Sequence, residues 1–370
     1  MQRSDSPVSA PIRAIGLMSG TSCDGIDAAL IETDGERVLR TGPGLTKPYD
    51  RPFAAKLTGL MAGEGDAAAI EAELTRRHAE LVRSLLDTAR LQAGDVALVG
   101  FHGQTIRHEP GRRRTWQIGD GPLLAALTGI DVINDFRTAD VAAGGQGAPL
   151  APLYHAALAG GLERPLAVLN LGGVGNVTWI GTGSGGDDAL LAFDTGPGNA
   201  LIDDWCRARI GESCDRDGRL AASGHVDERV LARLMDHSYF SAPAPKSLDR
   251  NDFTLDPARA LSTADGAATL TAFTVAAVAA ALAQMPAAPR RWLVTGGGRH
   301  NPTIMAALAR RLGVPVDPVE SVGWDGDLIE AQAFGFLAVR SLRGLPLSVP
   351  GTTGVPAPMP GGRLHPGPVA

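Results

Sequence analysis

Two stretches of this chain repeat one plan. Residues 15–32 read IGLMSGTSCDGIDAALIE and residues 170–181 read NLGGVGNVTWIG. Each is an apolar run, a turn of small residues and an alternating run, a pattern that folds straight back as a hairpin. A chain of 370 residues is long enough for two domains with sizeable cores. The echo therefore predicts two duplicated α/β domains facing one another across a cleft. Between the hairpins, Leu74, His78, Leu81, Val82 and Leu85 recur at helical spacing and predict an amphipathic helix over 67–90. DVALVGF (95–101) reads as a buried strand. RWLVTGGGRHNPTIMAALARRLG reads as strand, glycine turn and helix, with Asn301 capping and Pro302 at the first helical position. The expected division is a first domain over 11–143, joined by a closing helix at about 327–343, and a second over 144–326. GGQGAPLAP (144–152) is the expected connection, and 344–370 an irregular Pro/Gly-rich tail.

Composition removes several function classes. A net charge of −6 leaves no phosphate-neutralising excess for nucleic acid. The first thirteen residues lack the apolar core of a signal peptide. LTAFTVAAVAAALAQM, from Leu270, is short and alanine-rich, so it reads as a buried helix and nothing is expected to span a membrane. Three cysteines (Cys23, Cys206, Cys214) without a CxxC pair fit reduced thiols in a cytoplasm. The basic run Arg112–Arg114 reads as a solvated loop tip.

The first hairpin loop has neither the lysine nor the following helix of a Walker-type phosphate loop. It also lacks the dinucleotide fingerprint. What remains is a hairpin tip that is either a plain turn or a nest of backbone N–H groups with the hydroxyls of Ser19, Thr21 and Ser22, suited to phosphate oxygens. Asp24 and Asp27 would repel phosphate unless a divalent cation lay between them, and Mg2+ fits that need. The other glycine turns favour the phosphate reading. Its contacts would be Gly20, Thr21, Ser22, Asp24, Gly25 and Asp27 on the first loop, Gly172, Gly173 and Asn176 on the second, and Gly296, Gly297 and Gly298 on the third.

Three glycine loops in this order resemble the actin, Hsp70 and sugar-kinase superfamily, which implies two actin-like (ribonuclease H-like) domains around an ATP and substrate cleft. More narrowly, GLMSGTSCDGIDAALIE, GFHGQTIRHEP, QIGDG, DFRTADVAAGGQGAPLAP, NLGGVGNVT, FDTGPGNALIDDW and GTTGVPAPM resemble the anhydro-N-acetylmuramic acid kinase family. These motifs run from residue 15 to about 360. The resemblance implies that ATP phosphorylates the 6-oxygen of the anhydro sugar while water opens its bridge, giving N-acetylmuramic acid 6-phosphate in cell-wall recycling. It also implies Mg2+, a cytoplasmic location and a homodimer. An actin-fold kinase acting on another hexose or amino sugar fits the glycine loops equally well. A transcriptional repressor would need a basic helix-turn-helix that the first thirteen residues cannot supply.

In FDTGPGN, Asp194 ends an apolar run and enters a Gly-Pro turn. The resemblance implies that the matching aspartate activates the attacking water. An Asx turn or cap is the structural alternative, although Asn199 can cap the next helix itself. A carboxylate at its ordinary pKa of ~3.9 is a feeble base, so partial burial is expected to raise it. Glu330 either closes a capping box from Asp327 or, with Phe334 and Leu337 at i+4 and i+7, faces inward; the resemblance implies a contact to the sugar or to the base. His102 and Gln104 follow a buried strand, where ligand clefts form, and are expected to bind sugar. Asp135 and Arg137 join them, Arg137 either pairing internally with Asp135 or Asp140 or meeting the sugar's lactyl carboxylate. PKSLDRNDF lacks the Thr-Gly that many relatives carry after PKS, so Lys246 and Arg250 receive no role.

Overall fold

A computed structural model describes residues 10–183 and 189–368. The signal-peptide reading therefore falls, for residues 1–9, outside the described residues, as do the last two residues of the tail. The chain forms two compact units. One runs up to Gly161 and resumes at Leu328; the other is Leu162–Asp327.

The first unit is built on β1 (Ile12–Ser19), β2 (Gly25–Thr33), β3 (Val38–Pro48), β4 (Leu98–Glu109), β5 (Arg114–Ile118) and β6 (Val132–Asn134). β1, β2 and β3 form an antiparallel meander, and β4 and β6 add parallel to β1 on its other side, with β5 turning back on β4. The second unit uses β7 (Leu166–Leu171), β8 (Val174–Ile180), β9 (Leu190–Pro197), β10 (Trp292–Thr295) and β11 (Val316–Pro318). Its order is the same: an antiparallel β7-β8-β9 meander, then β10 and β11 parallel to β7. The spatial order is β3-β2-β1-β4-β6 in the first sheet, with β5 as a side hairpin on β4, and β9-β8-β7-β10-β11 in the second. This is the ribonuclease H-like arrangement, present twice, and the two hairpins of the sequence echo are the first turn of each sheet.

The helix Ala67–Ala89 buries Leu74, His78, Leu81, Val82 and Leu85, as their spacing predicts. The helix Ile329–Leu342 lies directly on β1 and β4. Gly16 and Gly100 are register partners on those strands. A Cβ on Gly16 would stand 1.7 Å from the Ala331 carbonyl oxygen, and one on Gly100 2.1 Å from that of Phe334. The sheet has no side chains there, so the helix backbone rests on it. In the second unit Trp205, Phe193, Phe273 and Trp292 anchor a single core. The helix Thr263–Ala280 is apolar enough to cross a membrane by composition with its continuation to Gln284, but it buries Leu270, Phe273 and Val278 among them.

Three expectations are corrected. The break falls after Gly161 rather than at 143/144, because Tyr154, in the helix Pro152–Leu158, donates to Gln332 (2.8 Å) and packs its ring at a tilt against Phe336. GGQG is not a free connection: buried Asp140 accepts from the Gly147 N–H (2.6 Å), Thr353 Oγ1 (2.6 Å) and Ser348 Oγ. The tail is not irregular throughout, since it carries the short helix Pro350–Thr353, and β12 (Arg363–His365) pairs antiparallel with β6. Over Arg363–His365 the tail's backbone pairs with that sheet.

Candidate active site

In the second unit, β9 carries Asp194 beside its β8 register partner Asn176. The Asp194 N–H donates to the Lys246 carbonyl (3.0 Å), Tyr239 Oη donates to the Asp194 carbonyl (2.5 Å), and the Leu248 N–H donates to Oδ2 (2.8 Å). Lys246 Nζ in turn donates to the Tyr239 carbonyl (2.7 Å) and lies 4.5 Å over its ring. The segment 239–248 thus clamps Asp194 from three sides. Burial pushes the Asp194 carboxyl up to about 7, against the Leu248 N–H, which favours the ionised form. A part-buried carboxylate poised near neutrality is suited to general-base work.

The Gly172–Gly173 turn joins β7 to β8. Its carbonyls accept the N–H groups of Gly198, Asn199 and Ala200 at the start of the helix Ala200–Ile210. Asn199 does not cap that helix with its side chain: Nδ2 donates to the carbonyls of Leu171 (2.7 Å) and Gly172 (3.1 Å) instead. The third glycine turn packs against the same place. Gly296 has φ +75°, and a Cβ there would lie 2.3 Å from Asn170 Oδ1; one on Gly298 would press on Leu171. Arg299 pins this turn through the Gly296 carbonyl, Glu320 and Asp327. A short 3-10 turn, Gly297–His300, precedes the helix Pro302–Leu312, which Asn301 caps as predicted.

In the first unit, the loop from Gly20 to Asp24 closes on a Cys23 N–H to Gly20 carbonyl bond (3.1 Å), with Cys23 at φ +53°. Thr21, Ser22 and Asp24 are exposed. Ser19 is not presented at the tip; it is buried, 2.6 Å from Gln104 Oε1 and 2.8 Å from the Tyr49 hydroxyl. Gln104 is wholly buried and also donates to the Gly20 carbonyl (3.0 Å). Both ends of its amide brace the loop. Asp27 accepts from Thr46 Oγ1 across the β2–β3 ladder (2.5 Å). Asp24 and Asp27 are hard oxygen donors. Among the described residues no three His, Cys, Asp or Glu side chains converge on a metal site. Carboxylates are the ligand type a divalent cation takes beside phosphate and water.

His102 hydrogen-bonds through Nδ1 to the Gly103 carbonyl (2.8 Å), and Nε2 accepts from Arg137 Nε (3.0 Å). Burial and the neighbouring guanidinium hold its pKa well below the usual value, so the ring is neutral. Both nitrogens being engaged, His102 orients Arg137 rather than offering a free donor. Arg137 Nη1 donates to the Gly147 carbonyl (2.5 Å). Burial lowers its pKa to about 10, offset in part by Glu330 and Asp140. The alternative of a hydrogen-bonded internal pair with Asp135 or Asp140 gives way to bonds from Arg137 to the neutral His102 ring and the Gly147 carbonyl. Glu330 begins the helix Ile329–Leu342, but it is exposed, and neither capping box nor inward face forms; Asp327 is drawn to Arg299 instead. Asp135 is exposed at φ +57° and, with His102, Trp116 and Asn134, lines a cavity of about 400 Å3.

Sequence reasoning missed Tyr239 and Leu248 and gave Lys246 no role. Arg250 pairs with Asp204 (2.9 Å) on an exposed surface.

The sequence profile described as anhydro-N-acetylmuramic acid kinase matches residues 12–367. A protein of that name from Paramagnetospirillum magneticum is 58% identical over 355 residues, covering 95% of this chain and 99% of the relative. Another, from Rhodospirillum rubrum, is 59% identical over 358 residues, covering 95% and 94%. A third, from Acidiphilium cryptum, is 58% identical over 371 residues, covering 97% and 100%. Matched across both sheets and nearly throughout, the chain belongs to the anhydro-N-acetylmuramic acid kinase family.

Proposed function

We infer that this chain is an ATP-dependent kinase that hydrolyses the anhydro ring of 1,6-anhydro-N-acetylmuramic acid and phosphorylates its 6-oxygen, giving N-acetylmuramic acid 6-phosphate in cell-wall recycling. The observation that carries the mechanism is Asp194, a carboxyl raised to about 7 and clamped by backbone bonds. Asp194 takes a proton from water, whose oxygen bonds to the anomeric carbon. The bond from that carbon to O6 breaks, and O6 takes the γ-phosphoryl group as ADP leaves. Phosphoryl transfer of this kind rests on positioning and electrostatics. Arg137, oriented by His102 and backed by Glu330, binds the lactyl carboxylate, and Asp135 bonds sugar hydroxyls from the cavity wall.

Backbone N–H groups of the Gly20–Gly25 loop serve ATP phosphates. In the second unit, Gly172, Gly173, Asn176 and Gly296–Gly298 serve the nucleotide. Asp24 and Asp27 would hold Mg2+, directly or through water; bound there, the ion neutralises charge on the phosphates. The reading carries with it a cytoplasmic location, where ATP is supplied, and a homodimer.

A coupled ADP-release assay tests the function, with the anhydro sugar set beside glucose, N-acetylglucosamine and N-acetylmuramic acid. Turnover confined to the anhydro sugar is expected. Activity on a plain hexose would favour a kinase for another sugar.

A further inference from the structure

The run Arg112–Arg114 lies where β4 and β5 meet. Cross-strand register sets Arg107 against Trp116 and Glu109 against Arg114. Strand alternation then places Arg107, Glu109, Arg114 and Trp116 on one face of the hairpin. There Arg107, Arg114 and Trp116 line a cavity of about 270 Å3 with Arg113, over an apolar wall from Val141 and Ala142. Among the described residues no acidic one lines it. Glu109, the one nearby acid on the ladder, is engaged by Arg112 at 3.6 Å. Among the described residues, Arg107, Arg113 and Arg114 have no carboxylate within ion-pair distance.

Three guanidinium groups around one hollow repel one another, and 42% of the Trp116 surface is left to solvent. Neither feature helps the fold. Together they are what an anion attached to a ring or chain requires: planar forks that grip carboxylate or phosphate two oxygens at a time, and a flat apolar surface for the rest of the ligand. The hollow also shares Thr115, Trp116 and Thr138 with the cavity walled by His102 and Asp135.

We propose that Arg107, Arg113, Arg114 and Trp116 form a subsite for the multiply anionic part of a sugar ligand that occupies the neighbouring cavity. This rests on the reading of that cavity as the sugar site. Two ligands carry such a group: an anhydro sugar whose lactyl carboxyl is amidated by an acidic peptide, the peptide carboxylates then reaching these arginines in place of a lactyl carboxylate on Arg137, and the 6-phosphate product rebound with its phosphate away from the ATP loop.

Titration calorimetry on the full chain tests it with two probes, anhydro-N-acetylmuramoyl tripeptide and N-acetylmuramic acid 6-phosphate. In the double variant Arg113→Gln/Arg114→Gln, at least one probe is expected to bind about tenfold or more weakly, with a shallower dependence on salt. The turnover and KM of the unextended anhydro sugar should stay within about twofold of wild type, and Arg113→Lys/Arg114→Lys should recover part of the lost affinity. The probe that responds identifies the ligand as peptide carboxylate or phosphate. Equal binding of both probes to wild type and variant overturns the subsite, as does failure of both to bind wild type. A wild-type protein that turns over no anhydro sugar, yet binds a probe in an arginine-dependent way, would instead count against the activity and leave the anion subsite standing.

Discussion

Asp194 has two opposed consequences. As a base it must be ionised, so kcat/KM is expected to fall about tenfold per pH unit below about pH 7, and to level above it. Asp194→Asn should lose roughly 10^3-fold in turnover while keeping ATP affinity, measured by calorimetry; retained turnover would remove Asp194 from the mechanism. For stability the sign reverses. The folded carboxyl holds its proton up to about 7 against an ordinary value of 3.8, so the folded state binds more protons between those limits. Stability is therefore greatest below about pH 4 on this account and is lost as pH rises through 7. Asp194→Asn should raise the unfolding free energy at pH 8 by about 1–2 kcal/mol, a figure reduced for the side chain's partial exposure. Asp194 drew attention in the sequence because a carboxylate enters a Gly-Pro turn there, and its role as base came from the family resemblance. Its clamp was not legible. Lys246 and Leu248 act through a backbone carbonyl and a backbone N–H more than fifty positions away, and those carry no side-chain signature. The same limit hid the hydrogen bonds of Gln104 to the Gly20 carbonyl and of His102 to Arg137, which depend on which segments become neighbours.

At the level of elements, the hairpins, the helix over Ala67–Ala89 and the capped helix after β10 follow from periodicity and punctuation. The pairing of Gly16 with Gly100 does not, because it depends on which strands become neighbours. Gly16→Ala would drive a methyl group against the Ala331 carbonyl and lift the helix Ile329–Leu342 off the sheet. We expect a loss of about 3 kcal/mol, at the upper end for overpacking because backbone cannot rotate away. Urea unfolding measures it; a variant within about 0.5 kcal/mol of wild type would show that the helix settles elsewhere at little cost. Since that helix begins with Glu330, a destabilised but folded variant should also bind sugar more weakly.

Across the whole molecule, duplication was visible in the sequence while the boundary was not. Glycines and prolines at 144–152 imitate a connection, yet Asp140 and the helix Pro152–Leu158 tie that stretch to the first unit. The two units differ in continuity. Leu162–Asp327 is one uninterrupted segment with its own core, and the excised segment should unfold cooperatively, followed by circular dichroism in urea. Residues up to Gly161, expressed alone, should not, because they lack the helix that covers Gly16 and Gly100. This arrangement sets an order of events on the ribosome. The early segment emerges with an uncovered glycine ledge on its sheet and must wait while Leu162–Asp327 is made, roughly 10–30 s at ~5–20 residues per second. The inserted unit can finish folding during that interval. The first-born half is the last to mature, and it is there that chaperones would find their longest-lived client.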